Sequence, residues 1–455
     1  MKQPEPPPSM LEVIQKLGPD KFVELLKNKE VADKLNEVDK DYPYWETFKR
    51  KVKGLAFEPE ALWVYNKVSR GKTITTVKIS DLSGFSFKFN TTTKIIKHLH
   101  EFDLHLGGAL EGRSIIPTED KNRYLISSIM EEAIASSQLE GAATTREIAK
   151  EMLRTQRKPI NHSEKMILNN YLTIKRVLEI KDQKLSKELI LQIHSLISKD
   201  TLKSKDNEGK FRSNNKVDVV DELTGEIFYS PPNYELIESL MDKFCEFANT
   251  ENEKEFIHPI IKGIIIHFLI GYIHPFVDGN GRTARALFYW YLLSKGYWLV
   301  EYMAISKIII RAPAQYARAY LYTEHDENDL TYFIDYNVKC LDLAAQNLQS
   351  YIERKVMEKR NLYHLLQYES VNERQAEILR SLIIDNQKAF TINEIQNKFG
   401  VVYQTARTDL MGLQDLGYVK EKKFGKKLIF FKTDDFETKL KSVFKHGEYS
   451  EFAEN

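Results

Sequence analysis

Twelve consecutive residues gather the groups that phosphate chemistry needs: His274-Pro275-Phe276-Val277-Asp278-Gly279-Asn280-Gly281-Arg282-Thr283-Ala284-Arg285. A histidine titrates near neutral pH and can take a proton from an incoming hydroxyl. Asp278 can hold Mg²⁺ in the one-carboxylate mode usual when that metal bridges phosphate oxygens. Gly279, Asn280 and Gly281 let successive backbone N–H groups converge into an anion-binding nest at a helix N-terminus. Arg282 and Arg285 fall in the first turns of the following helix, where positive charge opposes the helix dipole by roughly 0.3–1 kcal/mol each. Two cations in an unfavourable place beside a nest call for an external polyanion such as a nucleoside triphosphate. Together they describe phosphoryl or nucleotidyl transfer, in which positioning and charge neutralisation do most of the work.

The elements that must position this run are helical. Residues 260–273 are apolar on nearly all sides and predict a buried helix, ended by His274-Pro275 because the residue before proline is pushed out of helical geometry. A second helix begins near Gly281. His258 and His267 are read as packing or hydrogen-bonding residues; a seven-residue spacing puts His267 and His274 about 10 Å apart, too far to share an ion. Further upstream, Leu189, Ile190, Ile193, Leu196 and Ile197 form the stripe of a helix starting at Leu185-Ser186, and Leu236, Leu240, Phe244 and Phe247 that of a helix from Tyr234 to Ala248. Between them, GKFRSNNKVDVVDELTGEIFYSPP reads as two short strands about Leu223-Thr224-Gly225. An isolated hairpin in a helical domain has no sheet to join, which makes it a candidate for taking up an extended peptide by strand addition.

The whole chain has 455 residues, 66 Lys+Arg against 65 Asp+Glu, 42% hydrophobic and 29% charged content. That is the composition of globular domains, two to four by length. The balance excludes a surface coated uniformly for nucleic acid or anionic membrane. By segment it is uneven: +4 over residues 1–95, −4 over 96–370, +4 over 371–432 and −3 over the tail. Cys245 and Cys340 form no CxxC pattern, which speaks against a disulfide framework or a cysteine zinc site and for a reducing cytoplasm. No signal peptide or spanning segment is read, so no membrane partner is expected.

The motif matches the defining HxFx(D/E)GNGRxxR pattern of the Fic (Fido-fold) family at every specified position, and the chain resembles that family from about residue 96 to 350. Gly209-Lys210-Phe211-Arg212, the hairpin and Pro231-Pro232 look like its target-binding flap. The resemblance implies a protein adenylyltransferase: His274 as the base acting on a target Ser, Thr or Tyr hydroxyl, Asp278 as the Mg²⁺ ligand, and Gly279, Asn280, Gly281, Arg282 and Arg285 as the ATP-binding set. Phe276 would anchor the loop in the core. The hydroxyl would attack the α-phosphate of ATP, leaving AMP on the protein and releasing pyrophosphate. Kinase-like relatives alter the glycine positions, whereas here the GNG is intact.

Ala135 to Gly141 closes a helix beginning near Tyr124, with Ser136 and Glu140 four apart and Gly141 as its stop. Read locally, Glu140 is an ordinary solvated acid at a helix end. The resemblance turns it into the family's inhibitory (S/T)xxxE(G/N) motif, with Glu140 pairing Arg285 and replacing an ATP γ-phosphate contact. In relatives such a glutamate can also assist AMP removal.

The expected architecture is mainly α. An N-terminal α+β accessory module (1–95) carries helical spacing from Leu11 to Leu35 and a hairpin around Asp81–Gly84. The Fic-type helical domain with its β-hairpin flap (96–350) follows, then a helical linker (351–370). A C-terminal unit with acidic tail (371–455) resembles a winged helix-turn-helix. There, Tyr403, Gln404, Thr405, Arg407 and Thr408 face outward on the third helix, and Lys422, Lys423, Lys426 and Lys427 surround Gly425 in the wing. Expected partners are ATP, a protein target at 212–232 and candidate DNA through 371–432; such units also serve docking and homodimerisation. The alternatives are a DNA-binding regulator or toxin-like module whose Fic domain mainly senses nucleotide, or a de-AMPylating enzyme.

Overall fold

A computed structural model describes residues 2–77, 86–107, 121–220, 224–251, 256–368, 371–384, 388–424 and 427–443. The chain divides into two compact units, Met1–Gln346 and Asn347–Asn455. Among the described residues no helix is long and apolar enough to cross a membrane.

In the first unit the apolar stretch Leu11–Leu35 is not one helix but three: Met10–Leu17, Pro19–Lys27 and Lys29–Asp39. Gly18 at φ 79° with Pro19 behind it ends the first. The Asn28 side chain caps the third by accepting from Val31 N. Helices Trp45–Lys51 and Pro59–Arg70 complete this region, packing Trp45, Phe48, Leu62 and Trp63 with Tyr332 from much later in the chain. Buried polar groups tie the same regions together: Lys67 pairs with Asp326 at 2.9 Å, and Tyr42 donates to Asp329 at 2.7 Å. Strands β1 (Thr75–Val77) and β2 (Phe87–Phe89) form the expected antiparallel hairpin, Thr75 opposite Phe89. Its turn, Asp81–Gly84, lies outside the described residues.

The centre of the unit is helical. The Pro259–Ile273 helix is buried along nearly its whole length, so no polar face shows in its sequence. It packs against the Asn280–Ser294 helix, also buried on all sides. Helices Lys121–Gln138, His162–Ile180 and Lys187–Ser198 surround this pair. The expected helix at Tyr234 opens as a 3₁₀ turn, Tyr234–Leu236, and continues as Ile237–Asn249. Among the described residues, strands β3 (Val219–Val220) and β4 (Ile227–Tyr229) pair only with each other, antiparallel and with a register shift at Val219/Val220.

The second unit contains helices Glu373–Ile384, Ile392–Phe399 and Tyr403–Asp415 with a three-stranded sheet of order β5 (Ala389–Thr391), β7 (Lys427–Lys432), β6 (Val419–Phe424). Thr391 and Glu394 form a reciprocal capping box, and Gly400 in left-handed geometry closes that helix. Ala376, Leu379, Leu382, Ile395, Ala406, Leu410, Leu413 and Phe430 fill its core.

Candidate active site

His274 stands at the left-handed C-cap of the buried helix, φ 49° and ψ 57°, its N–H bonded to Ile270 O. Its Nδ1 lies 3.1 Å from Gly271 O. A carbonyl only accepts, so Nδ1 carries the proton and Nε2 keeps a free lone pair. Burial lowers the imidazole pKa, partly opposed by that carbonyl and by Glu140.

The loop that follows is held by its own side chains. The Asn280 amide both accepts from Phe276 N and donates to Phe276 O, each at 2.9 Å. Asn280 is thereby committed to closing the loop, and its contribution to any anion is through the backbone. Phe276 is fully buried and lies flat on His194, ring centroids 3.7 Å apart and planes 2° from parallel. Gly279 takes φ 80° and starts the Asn280–Ser294 helix. Asp278 is on the outside, its side chain 56% exposed, 3.9 Å from Arg282.

Arg282 and Arg285 are almost fully buried. Arg282 donates to Ile197 O at 3.2 Å. Arg285 Nε donates to Ser136 Oγ at 2.8 Å, and Nη2 donates to Ser136 O at 2.9 Å and to Glu140 Oε1 at 2.8 Å. Among the described residues, Arg282 Nε and Arg285 Nη1 have no hydrogen-bond partner although both are buried. Unsatisfied buried donors are costly, so these two mark where an anion fits. A phosphate suits the donor set, and the exposed Asp278 carboxylate suits Mg²⁺ at the mouth.

Glu140 reaches Arg285 from the end of the Lys121–Gln138 helix. Gly141 N bonds Gln138 O, Ala142 N bonds Ser137 O, and Gly141 has φ 86°. This is a Schellman ending with Glu140 as the C-cap residue, one turn past Ser136. Its side chain is 25% exposed. Burial raises the carboxyl pKa, but Arg285 and then Arg282 more than offset it, so it lies below its ordinary value. Glu131 and Glu132 anchor the helix. Glu131 meets Arg146 and Lys150, and Glu132 accepts from Ser306 N at 2.8 Å.

Two residues that the sequence reading left out of the site hold it together. His194 lies 2.9 Å from Asp278 O through Nε2 and accepts from Gly209 N at 3.1 Å through Nδ1, which fixes the neutral Nε2–H tautomer. Burial pushes its pKa down to about 4. Arg212 N donates to Pro275 O at 2.8 Å, its Nε to His274 O at 2.9 Å, and its Nη2 to Pro232 O. One guanidinium thus joins both ends of the hairpin segment to the carbonyl of His274. A lone histidine inside the apolar stripe of residues 189–197 was the only trace of the first; the GKFR run contained the second. His267 behaves as read, a core residue 2.8 Å from Tyr316 Oη.

Residues 184–292 match the model of the Fic/DOC family. Over 112 residues the chain is 30% identical to the protein adenylyltransferase Fic of Nematostella vectensis, which covers 25% of this chain and 24% of that protein. Over 67 residues it is 39% identical to the protein of the same name from Drosophila virilis, 15% and 14% of the two chains. The chain therefore spans about a quarter or less of these curated relatives. Among solved structures it is similar to a Fic family protein from Desulfovibrio desulfuricans G20, with 17% identity, 75% of this chain and 95% of that one covered, and a TM-score of 0.47. It is also similar to Fic-1 from C. elegans, with 17% identity, 76% and 92% covered, and a TM-score of 0.49. The segment that matches the Fic/DOC family model carries His274 through Arg285.

Proposed function

We propose that this chain is a protein adenylyltransferase, held off by its own Glu140, that moves AMP from ATP to a hydroxyl of a target protein or of itself in the cytoplasm. The family match and the adenylyltransferase relatives support the reaction class. The observation that carries the brake is the Glu140 carboxylate on Arg285, beside the orphaned Arg282 Nε and Arg285 Nη1.

With Glu140 withdrawn, the triphosphate lies over the Gly279–Gly281 N–H groups, its charge met by Arg282 and Arg285. Asp278 would hold Mg²⁺, which when bound would supply charge neutralisation for the triphosphate. His274 Nε2 takes the proton of a Ser, Thr or Tyr hydroxyl as that oxygen bonds to the α-phosphorus. The α–β phosphate bridge breaks, AMP stays on the acceptor, and pyrophosphate leaves. The hairpin β3–β4 positions the acceptor by strand addition. With Glu140 in place, ATP loses one arginine and binds in an unproductive pose.

Mass spectrometry of Glu140→Gly protein with Mg²⁺ and each nucleoside triphosphate tests this reading. A mass gain of one AMP with ATP, absent in Glu140→Gly/His274→Ala, is expected; no adduct with any nucleotide overturns it.

A second reading concerns the second unit, whose order of helices and strands agrees with a winged helix-turn-helix. Tyr403, Gln404, Arg407 and Thr408 are exposed, while Thr405 is half-buried, and Ala406, Asp409, Leu410 and Leu413 face the core. Duplex DNA is its candidate ligand. Retention of the full chain on duplex DNA that weakens with salt and is lost on Arg407→Ala supports it; no retention at low salt removes it.

A further inference from the structure

Among the described residues the hairpin β3–β4 joins no other sheet, and its register partners Val220 and Ile227 are both exposed. Such a ribbon offers free edge groups, yet one is already taken: Gln3 Nε2 donates to Ile227 O at 3.0 Å. Gln3 lies in an arm, residues 2–9, that has no regular secondary structure but is firmly seated. The Glu5 carbonyl accepts from Tyr44 Oη and its carboxylate from Trp45 Nε1, both at 2.9 Å. The second carboxylate oxygen meets Lys49, and Glu5 N donates to Glu46 Oε1 at 3.3 Å. Pro4 is buried.

The arm's composition suits a removable cover. Pro4, Pro6, Pro7 and Pro8 have no N–H to donate, so the arm cannot extend a ladder beside β4 and complete the sheet. Prolines also keep the segment extended before it docks, at little cost in order. What reaches the strand is one side-chain amide, a weak hold compared with the backbone bonds of an added strand.

We propose that residues 2–5 are a resident occupant of the β4 edge, seated there by Glu5 and displaced when an acceptor polypeptide adds to the hairpin. The arm thereby gates acceptors independently of Glu140, which gates ATP. This gating rests on the hairpin being the acceptor-binding flap.

The test compares the full chain with its Gln3→Ala and Glu5→Ala variants. Glu5 is exposed and Gln3 half-buried, so both variants should fold; thermal unfolding checks this. Amide hydrogen exchange across 219–229, without nucleotide, should quicken severalfold in both variants. In a Glu140→Gly background the same substitutions should raise AMP labelling of the protein at least threefold, with affinity for a fluorescent ATP analogue unchanged. A synthetic peptide of residues 2–9, KQPEPPPS, at millimolar concentration should reverse both effects. That concentration matches what a short tether provides.

Unchanged exchange would overturn the proposal, because the arm would not occupy the edge. Faster exchange with unchanged or lower labelling would also overturn it, because the arm would then support the hairpin rather than guard it. A fall in nucleotide affinity would overturn it by placing the arm in the ATP site. If Glu140→Gly protein with an intact arm takes no label, adenylyl transfer itself fails, and exchange with peptide reversal alone decides whether the arm occupies the edge.

Discussion

Gly281 faces the Glu140 carboxylate so closely that a Cβ at 281 would stand 2.9 Å from Glu140 Cδ and 3.1 Å from Arg285 Nη1. The glycine therefore keeps open a space that the carboxylate uses now and a phosphate oxygen would use later. Gly281→Ala should disturb both occupants. We expect ATP affinity to fall about tenfold, or about 1.4 kcal/mol. AMP labelling should not rise despite the weakened Glu140 contact, and analogue titration beside labelling separates this variant from Glu140→Gly.

Removing Glu140 frees Arg285 at a cost in stability. The guanidinium keeps Ser136 but loses its only ion-pair partner among the described residues. Glu140→Gly should lower the unfolding free energy by about 1–3 kcal/mol without nucleotide. Mg-ATP should restore most of it by binding the folded state. Thermal unfolding with and without ligand measures both; a variant equally stable in both conditions would contradict the pairing.

The ion pair has a defined pH window. Glu140 has a depressed folded-state pKa, so its contribution is present above its unfolded value of about 4.5 and lost as pH falls through the folded value. The stability gap between the native chain and Glu140→Gln should be full near pH 6–7 and narrow below about pH 4.5. Urea midpoints across that range check it.

His274 predicts an acid limb displaced downward. Burial lowers its pKa from the ordinary 6.5, and Glu140 opposes that shift. In Glu140→Gly protein the base therefore stays neutral further into acid, and half-maximal labelling should lie below pH 6.5. A limb above that value would assign the proton to another group.

His194 should act as a positioning residue. His194→Phe keeps a ring over Phe276 but strips the partners from Asp278 O and Gly209 N. Each unpaired group costs about 1–3 kcal/mol. In the Glu140→Gly background we expect kcat to fall about tenfold or more with KM for ATP little changed. Because the imidazole is already neutral at pH 7, the pH profile should keep its shape.

The run from His274 to Arg285 was legible because its parts are contiguous: a helix end, a glycine loop and a helix start each leave a local mark. The Glu140–Arg285 pair was not visible in either segment alone, since 145 positions separate them; only the family resemblance joined them. His194 and Arg212 act through backbone groups of distant loops, and a carbonyl leaves no signature in its own residue type. At the level of fold, the apolar spacing of Leu11–Leu35 pointed correctly to helix but hid two breaks. Gly18-Pro19 and Asn28 interrupt the chain without interrupting the pattern.

Arg212 grips His274 O with one nitrogen and Pro232 O with another, so one side chain ties the backbone of His274 to the exit of the hairpin. An acceptor strand added to that hairpin, as proposed, would be measured against His274 in units of the pleat. Alternate residues point the same way, and a slip of one turns a hydroxyl to the opposite face. Modified positions in a flexible acceptor should accordingly fall two residues apart, a ruler set by a single guanidinium.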